Sequence, residues 1–346
     1  MSVKKNLEPE FEPISRIHNE QFDAEVEKLV KFSEDMRLRL MQKHQSRKMM
    51  STFVFIVFVL IGATGFGWYL FMEGRIDIAI LCVIACVSVP LSLHLWAAKP
   101  LDEYKEKYKT VFMPKLAAAL GGFRFYTNRG VSKAIIQKTG VLPAFDTYQA
   151  EDCFIGKFKN TKVIFSEGRL YDNHKERVFD GIFVLLENAK PVFNGHTIIT
   201  SDYNMVMRYA GKRWKSLSKV TIPNPAANTI EFSVFSNNPD AAIQLASEKL
   251  LKELSEASIV FNKTPITCVA FAKQFMFICL ADNNDLFEPS DIHLPVRNQH
   301  HVQSCKAEIN QILEIVDIFD VFNEQTIENT DISDVFHEQA VENPDN

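Results

Sequence analysis

Residues 49–72 form an unbroken run of 24 without a charged side chain, and no other feature constrains this chain so tightly. As a helix rising about 1.5 Å per residue, the run reaches ~36 Å, enough to cross the ~30 Å hydrocarbon core of a bilayer. Only five residues separate it from a second uncharged run, 78–98, which is also long enough to span. Together they read as a transmembrane helical hairpin. Hiding so much apolar sequence inside a soluble protein would need a very large core. A cleaved signal peptide fits no better, because 48 residues precede the apolar run and it lacks a small-residue cleavage pattern.

Lysine and arginine near the membrane ends set the orientation. Arg37, Arg39, Lys43, Arg47 and Lys48 precede the first run, Lys99, Lys105, Lys107, Lys109 and Lys115 follow the second, and the connection holds only Arg75. Both termini are therefore expected in the cytoplasm. Under that topology a cysteine placed at Gly74 reacts with an impermeant thiol reagent from outside the cell, whereas Cys153 does not. Trp68, Tyr69 and Trp96 stand where interfacial aromatics collect. Ala63 and Gly67, four apart, offer a smooth face for packing within the hairpin. Pro90 should kink the second helix, and His94 reads as an interfacial side chain, since neither run holds an acidic partner for a proton relay.

The formal net charge of −5 conceals an asymmetry. Residues 317–346 carry nine acidic side chains and no Lys or Arg, so the rest of the chain holds 38 basic against 34 acidic groups. That excess is far below what a nucleic-acid binder concentrates, and nucleic acid is set aside as a partner. With 13 glycines and neither a phosphate-binding loop nor a dinucleotide fingerprint, nucleotide chemistry has no motif to rest on. Cys153, Cys268, Cys279 and Cys305 fall in the part assigned to the cytoplasm, where thiols stay reduced. His300, His301 and Cys305 supply too few ligands for a tetrahedral metal site, and neither metal nor cofactor is expected.

Ahead of the apolar runs, residues 20–48 carry Phe22, Val26, Leu29, Met36 and Leu40 at heptad spacing, interrupted by Ser33. The pattern predicts a helix running into the first span. It suits equally a short coiled coil and an amphipathic helix lying on the chain's own soluble domain. Beyond the second run, 101–120 continues as a helix with Tyr104, Tyr108, Phe112 and Leu116 at four-residue steps, bent at Pro114 and stopped by Gly121 and Gly122. The period then shortens to two. A hairpin around Lys159, Asn160 and Thr161 is expected, with further strands over 178–186, 197–200, 229–235, 266–271 and 275–281. Asn238 followed by Pro239 starts a helix to about Leu254 with Ile243, Ala246, Leu250 and Leu254 on one face, and a last helix covers about 302–319. Strands joined mainly by short turns define an α+β class: a two-helix transmembrane hairpin, then a cytoplasmic antiparallel-sheet domain with flanking helices. The domains are a cytoplasmic segment over 1–48, the hairpin over 49–98, the α+β domain over 99–316 and the acidic tail over 317–346.

Short blocks in the soluble part carry a family resemblance. They run from Glu151 to Gly156, Phe165 to Glu167, Val178 to Phe183, Phe193 to Thr197, Phe232 to Ser236 and Asp285 to Pro289. In order and spacing they are similar to the bacterial membrane-protein family known as domain of unknown function 3137. The similarity extends from about residue 20 to residue 316. It implies two spans near the N-terminus, one soluble domain behind them and a bacterial inner-membrane location. It implies no catalytic residue or ligand, and the acidic tail departs from the family pattern.

Candidate functional residues fall in three places. Glu151, Asp152 and Glu167 can pair for acid and base work if a hairpin sets them side by side, although acidic residues at turns ordinarily meet solvent. His174 and His196 accompany no Ser or Cys in a nucleophile turn. Gly156, Gly181 and Gly195 read as turn or bulge positions. Segment 205–219 interleaves Arg208, Lys212, Arg213, Lys215 and Lys219 with Trp214, Tyr209 and two methionines and holds no acid. This composition suits anionic lipid, each basic group adding about 1 kcal/mol close to the surface. In the tail, residues 320–329 recur at 334–343 with seven of ten positions identical, which places Phe322 and Phe336 as anchors for an unidentified cytoplasmic protein partner. A solvated, duplicated tail is the plainer reading. The expected function is a membrane-anchored interaction or sensory module without enzymatic activity, contacting the lipid bilayer and a protein partner, with self-association left open. An enzyme acting on lipid or another surface substrate is the alternative.

Overall fold

The computed structural model describes residues 19–71, 76–159, 161–188, 191, 193–209, 216–222, 230–281, 287–289, 291–296 and 302–318. The chain divides into two compact units, one made of 23–115 with 288–300 and the other of 1–22, 116–287 and 301–346.

The first unit is helical. Helix α1, Asn19–Phe71, is unbroken for 53 residues, so the heptad-patterned segment and the first apolar run form one rod about 80 Å long. Helix α2, Ile76–Lys107, carries the second run onward through Pro90 and Pro100 without a break. Their contacts pair rising positions of α1 with falling positions of α2. Cys86 Sγ donates to Phe58 O at 3.7 Å, His44 Nδ1 lies 2.8 Å from Ala97 O, and Lys43 meets Glu103 at 3.0 Å. The two helices are therefore antiparallel. A π-helical turn, Tyr108–Phe112, leads into α3, Met113–Ala119. Side chains four apart drift by about 40° per step around an α-helix. The wider turn takes up that drift, and Tyr104, Tyr108, Phe112 and Leu116 all stay buried. The irregularity expected at Pro114 thus falls in the turn before it, where the ring's missing N–H removes an α-helical bond.

Along α1 the buried positions include Val26, Leu29, Ser33, Arg37, Leu40 and His44, spaced by threes and fours. The seam follows the heptad pattern, except that Arg37 is buried where Met36 was expected. Residues 291–296 cover part of it. Arg37 donates to Ile292 O and, from Nε and Nη2, to Glu34 at 3.0 and 2.6 Å. Glu34 Oε2 also accepts the Val296 N–H at 2.9 Å. Ile292 packs into an apolar cluster with Leu40 and Tyr104, flanked by Met36, Met41 and Leu101. The chain's own residues occupy this stretch of the seam, which leaves little there for a coiled-coil partner.

The second unit is built on a sheet. Its elements are β1 (Arg124–Tyr126), α4 (Lys133–Thr139), β2 (Thr147–Phe158), β3 (Thr161–Tyr171), β4 (Arg177–Asn188), β5 (Thr197–Thr200), α5 (Tyr203–Tyr209), β6 (Ser218–Val220), β7 (Ser233–Ser236), α6 (Pro239–Leu245), α7 (Glu248–Val260), β8 (Ile266–Phe271), β9 (Phe275–Leu280) and α8 (302–318). Among the described residues the nine strands form one antiparallel sheet in the order β1-β2-β3-β4-β9-β8-β5-β7-β6. Every position of β8 is buried, so its sequence reads as a continuous apolar run, the mark of a strand covered on both faces. One face carries Leu170, Phe183, Phe277 and Val269, packed with Ile136 of α4 and Val206 of α5. On the other, Phe154, Phe165 and Val184 stand opposite one another across β2, β3 and β4. The Phe165 ring centre lies 6.3 Å from that of Phe261, at the end of α7, and 5.7 Å from that of Phe287.

Several local expectations change. The helix expected from Asn238 to Leu254 is two helices, because Ser247 stops α6 and caps α7, its hydroxyl accepting the Leu250 N–H at 3.3 Å. The strand expected over 229–235 is β7, which begins at Ser233. Gly156 and Gly181 are not bulges; each sits in regular register, opposite Val163 and Gly168. A Cβ on Gly181 would lie 2.1 Å from Leu280 O, so close strand approach explains this glycine. The register shift in β2 falls instead between Glu151 and Phe154, where Asp152 takes φ 47°. Gly195, at φ +100°, is the turn position expected.

Candidate functional site

Two surfaces of the sheet unit bear on the candidates. At one end of the sheet order, β6 pairs, among the described residues, only with β7 and is an edge strand. Lys219 on β6 lies opposite Phe235, whose ring is 5.8 Å from that of Tyr203 at the start of α5. Lys219 Nζ sits 6.0 Å from the Tyr203 ring centre. Helix α5 is pinned by Val206, fully buried in the core, while Tyr203 and Met207 are 43% and 50% exposed and Arg208 is exposed beside them. Of the six residues expected to meet lipid, Arg208 and Lys219 therefore belong to elements meeting at one corner, with two exposed apolar side chains. Lys212, Arg213, Trp214 and Lys215 lie outside the described residues, as do Phe322 and Phe336 of the tail.

Glu151 and Glu167 do stand directly opposite each other across β2 and β3. Like charges so placed repel, and Arg169, two pairs further along and next on the same face, offsets the charge of Glu151. Its Nη1 reaches Glu151 at 2.9 Å and its Nε reaches Asp180 at 3.5 Å, while Arg177 meets Asp180 at 2.7 Å. Glu151 thus belongs to an alternating ion network with Arg169, Asp180 and Arg177, while Glu167 is buried and Asp152 is turned inward at the bulge, 1% exposed. That arrangement offsets the charge that the facing glutamates place on the sheet. The thiols are unsuited to attack. Burial pushes Cys153 and Cys268 up to about 12 and raises Cys279 and Cys305 as well, so none forms a thiolate near neutral pH. Cys153 is wholly buried, so its silence toward a thiol reagent would report burial and not the side of a membrane; exposed Asn173 serves that purpose instead.

Among the described residues no three His, Cys, Asp or Glu side chains gather as a metal-binding group. Cys305 is buried on α8, and His300 and His301 lie outside the described residues. His94 is exposed on α2. The contacts between 291–296 and α1 had no expectation behind them, the only hint being a polar residue at a heptad position. The side chains of Ala63, Gly67, Trp68 and Tyr69 lie outside the described ones.

The fold so defined is mixed helix and sheet: two long apolar helices, then an antiparallel sheet with flanking helices. Residues 177–321 match the family described as Protein of unknown function (DUF3137), which the sequence resembles. The matched stretch begins at β4 and takes in the blocks from Val178 onward; those from Glu151 to Glu167 lie ahead of it. No curated protein and no solved structure matches the chain.

Proposed function

We propose that this chain is a membrane-anchored, non-enzymatic interaction or sensory module, held in the bacterial inner membrane by α1 and α2 as a hairpin with both termini cytoplasmic. One observation supports the reading above all others: the apolar side chains of the two long helices point outward. Phe53, Ile56, Leu60, Val87, Leu91 and Leu95 are each more than half exposed. Only 6% and 17% of the two apolar windows are buried, whereas the core helix of a soluble protein is mostly covered. Each such side chain moved from water into hydrocarbon contributes roughly 1.5–3 kcal/mol, so six of them supply a force that no surface helix would leave unused.

The Tyr203, Met207, Arg208 and Lys219 corner suits anionic lipid headgroups, and Lys212, Arg213, Trp214 and Lys215 continue the same composition in sequence. Phe322 and Phe336 provide two copies of one acidic anchor for a cytoplasmic protein partner, and joint engagement raises avidity where that partner is multivalent. Ion pairing of Glu151 with Arg169 and the burial of the sheet thiols speak against an enzyme. Topology is tested with Gly74→Cys and Asn173→Cys in a cysteine-free background and an impermeant thiol reagent. In intact cells position 74 should label and position 173 should label only after the membrane is opened. Labelling of position 173 in intact cells refutes the orientation.

A further inference from the structure

On the face of the sheet covered by α4 and α5 lies a cleft of about 330 Å³, within the range of ~300–1,000 Å³ usual for small-ligand sites. Its polar lining is Lys138 of α4, His196, Ser216 and Asn237; its apolar lining is Leu217, Phe271 and Ala272. Among the described residues no carboxylate lines it. We propose that this cleft binds a small, water-soluble organic anion, a phosphate or carboxylate carried on an apolar body. The assignment does not depend on the membrane reading.

Three features support it. First, the chemistry divides as such a ligand requires. Lys138 supplies a cation, Ser216 and Asn237 supply neutral donors, and the Phe271 ring with Leu217, both packed in the sheet core, offers an apolar floor. Second, the polar wall is preorganised. The His196 N–H donates to Asn237 Oδ1 at 2.8 Å and the Asn237 N–H to His196 O at 3.3 Å, while Ser236 Oγ donates to the same His196 carbonyl at 3.2 Å. Gly195 makes this closure achievable, since a Cβ there would fall 2.4 Å from Asn237 Oδ1. With its oxygen held by His196, the Asn237 amide has its NH2 end to offer a ligand. Third, one wall is the turn that closes the β8–β9 hairpin, where Ala272 and Lys273 take φ of 49° and 68°, the left-handed geometry of a tight hairpin loop. The turn is fixed from outside, by Asn188 N–H to Gln274 O at 3.0 Å and Phe193 N–H to Lys273 O at 2.8 Å. Cleft walls held rigid by bonds that do not face the ligand lower the ordering cost of binding.

The test uses the full-length protein in neutral-lipid nanodiscs, titrated by calorimetry with phenyl phosphate, and separately with inorganic phosphate and phenol. Phenyl phosphate should saturate one site per chain with a Kd below about 1 mM, and each half-ligand should bind at least about tenfold more weakly. Lys138→Met should weaken phenyl phosphate by about tenfold or more, and Ser216→Trp, which sends a ring into the cleft from an exposed position, should abolish saturation. Both variants should melt with the parent, since both positions are exposed. Absence of saturable binding up to about 10 mM, or unchanged binding by Ser216→Trp, overturns the site. Phenol binding as well as phenyl phosphate overturns its assignment to an anion.

Discussion

Gly181→Ala should be among the most damaging single-methyl additions available to this fold. The added Cβ would lie 2.1 Å from Leu280 O and 2.9 Å from Phe179 Cε1. An ordinary carbon-to-carbonyl contact needs about 3.3 Å, so β4 and β9 must separate by roughly 1.2 Å. The obstructing atom is backbone, in a residue paired with Ile182 one position away. Such a displacement carries neighbouring ladder bonds of about 2.9 Å beyond useful length. Two weakened bonds at about 1 kcal/mol each, added to overpacking of about 1–3 kcal/mol, give a loss of roughly 3–5 kcal/mol. For a domain near 200 residues, at ~2–4 °C per kcal/mol, the midpoint should fall by about 10 °C. Gly168→Ala provides the comparison, because its Cβ would meet side-chain ring atoms of Phe183 and Tyr148 at 2.6 and 2.7 Å, and rings yield more readily than a strand. It should lose about half as much. Gly65→Ala meets nothing within 4 Å and should leave the sheet's transition unchanged. The assay is thermal unfolding of the purified full chain in detergent, followed by circular dichroism. A Gly181→Ala midpoint within about 2 °C of the parent would refute the reasoning from close strand approach.

Other expectations follow from the same geometry. Arg37→Leu removes the guanidinium that holds Ile292 O and Glu34; because Glu34 is 24% exposed, the loss should be about 2–3 kcal/mol, below the ~3–5 of a fully buried pair. It should speed amide exchange across 291–296, and an unchanged rate would show that this contact holds nothing. Burial lifts the Cys153 and Cys268 thiols from 9.0 to about 12, so the folded state keeps protons that the unfolded state releases. That stability is complete below about pH 9 and is lost as pH rises toward 12; denaturant midpoints that climb over this range would contradict it. In nanodiscs containing anionic lipid, a fluorophore on Met207→Cys should be shielded from an aqueous quencher, and Arg208→Gln with Lys219→Gln should remove the shielding. Equal quenching in neutral discs would argue against lipid contact at this corner.

The parts of the fold legible in the sequence were those that one chemical period dictates. Two uncharged runs define the long helices, and strands β5 and β8 fall at the residues their bounded, β-branched runs indicate. Elements α4, α5, β1 and β6 span three to seven residues, too few for a period to declare itself. Ser247 illustrates a different limit: serine is tolerated inside helices and favoured at their caps, and only tertiary packing decides between the two. The network joining Glu151, Arg169 and Asp180 depends on register across three strands. Arg37 and Ile292 are 255 residues apart, and no local pattern links them. The cleft draws its lining from positions between 138 and 272, each unremarkable alone.

Alkaline carbonate extraction of membranes from cells making the full chain tests the central claim most directly. If the exposed apolar faces of α1 and α2 lie in lipid, the protein should remain entirely in the pellet at high pH, where peripherally bound proteins are released. Recovery in the supernatant would contradict membrane insertion and require another partner to cover Phe53, Leu60, Val87 and Leu91.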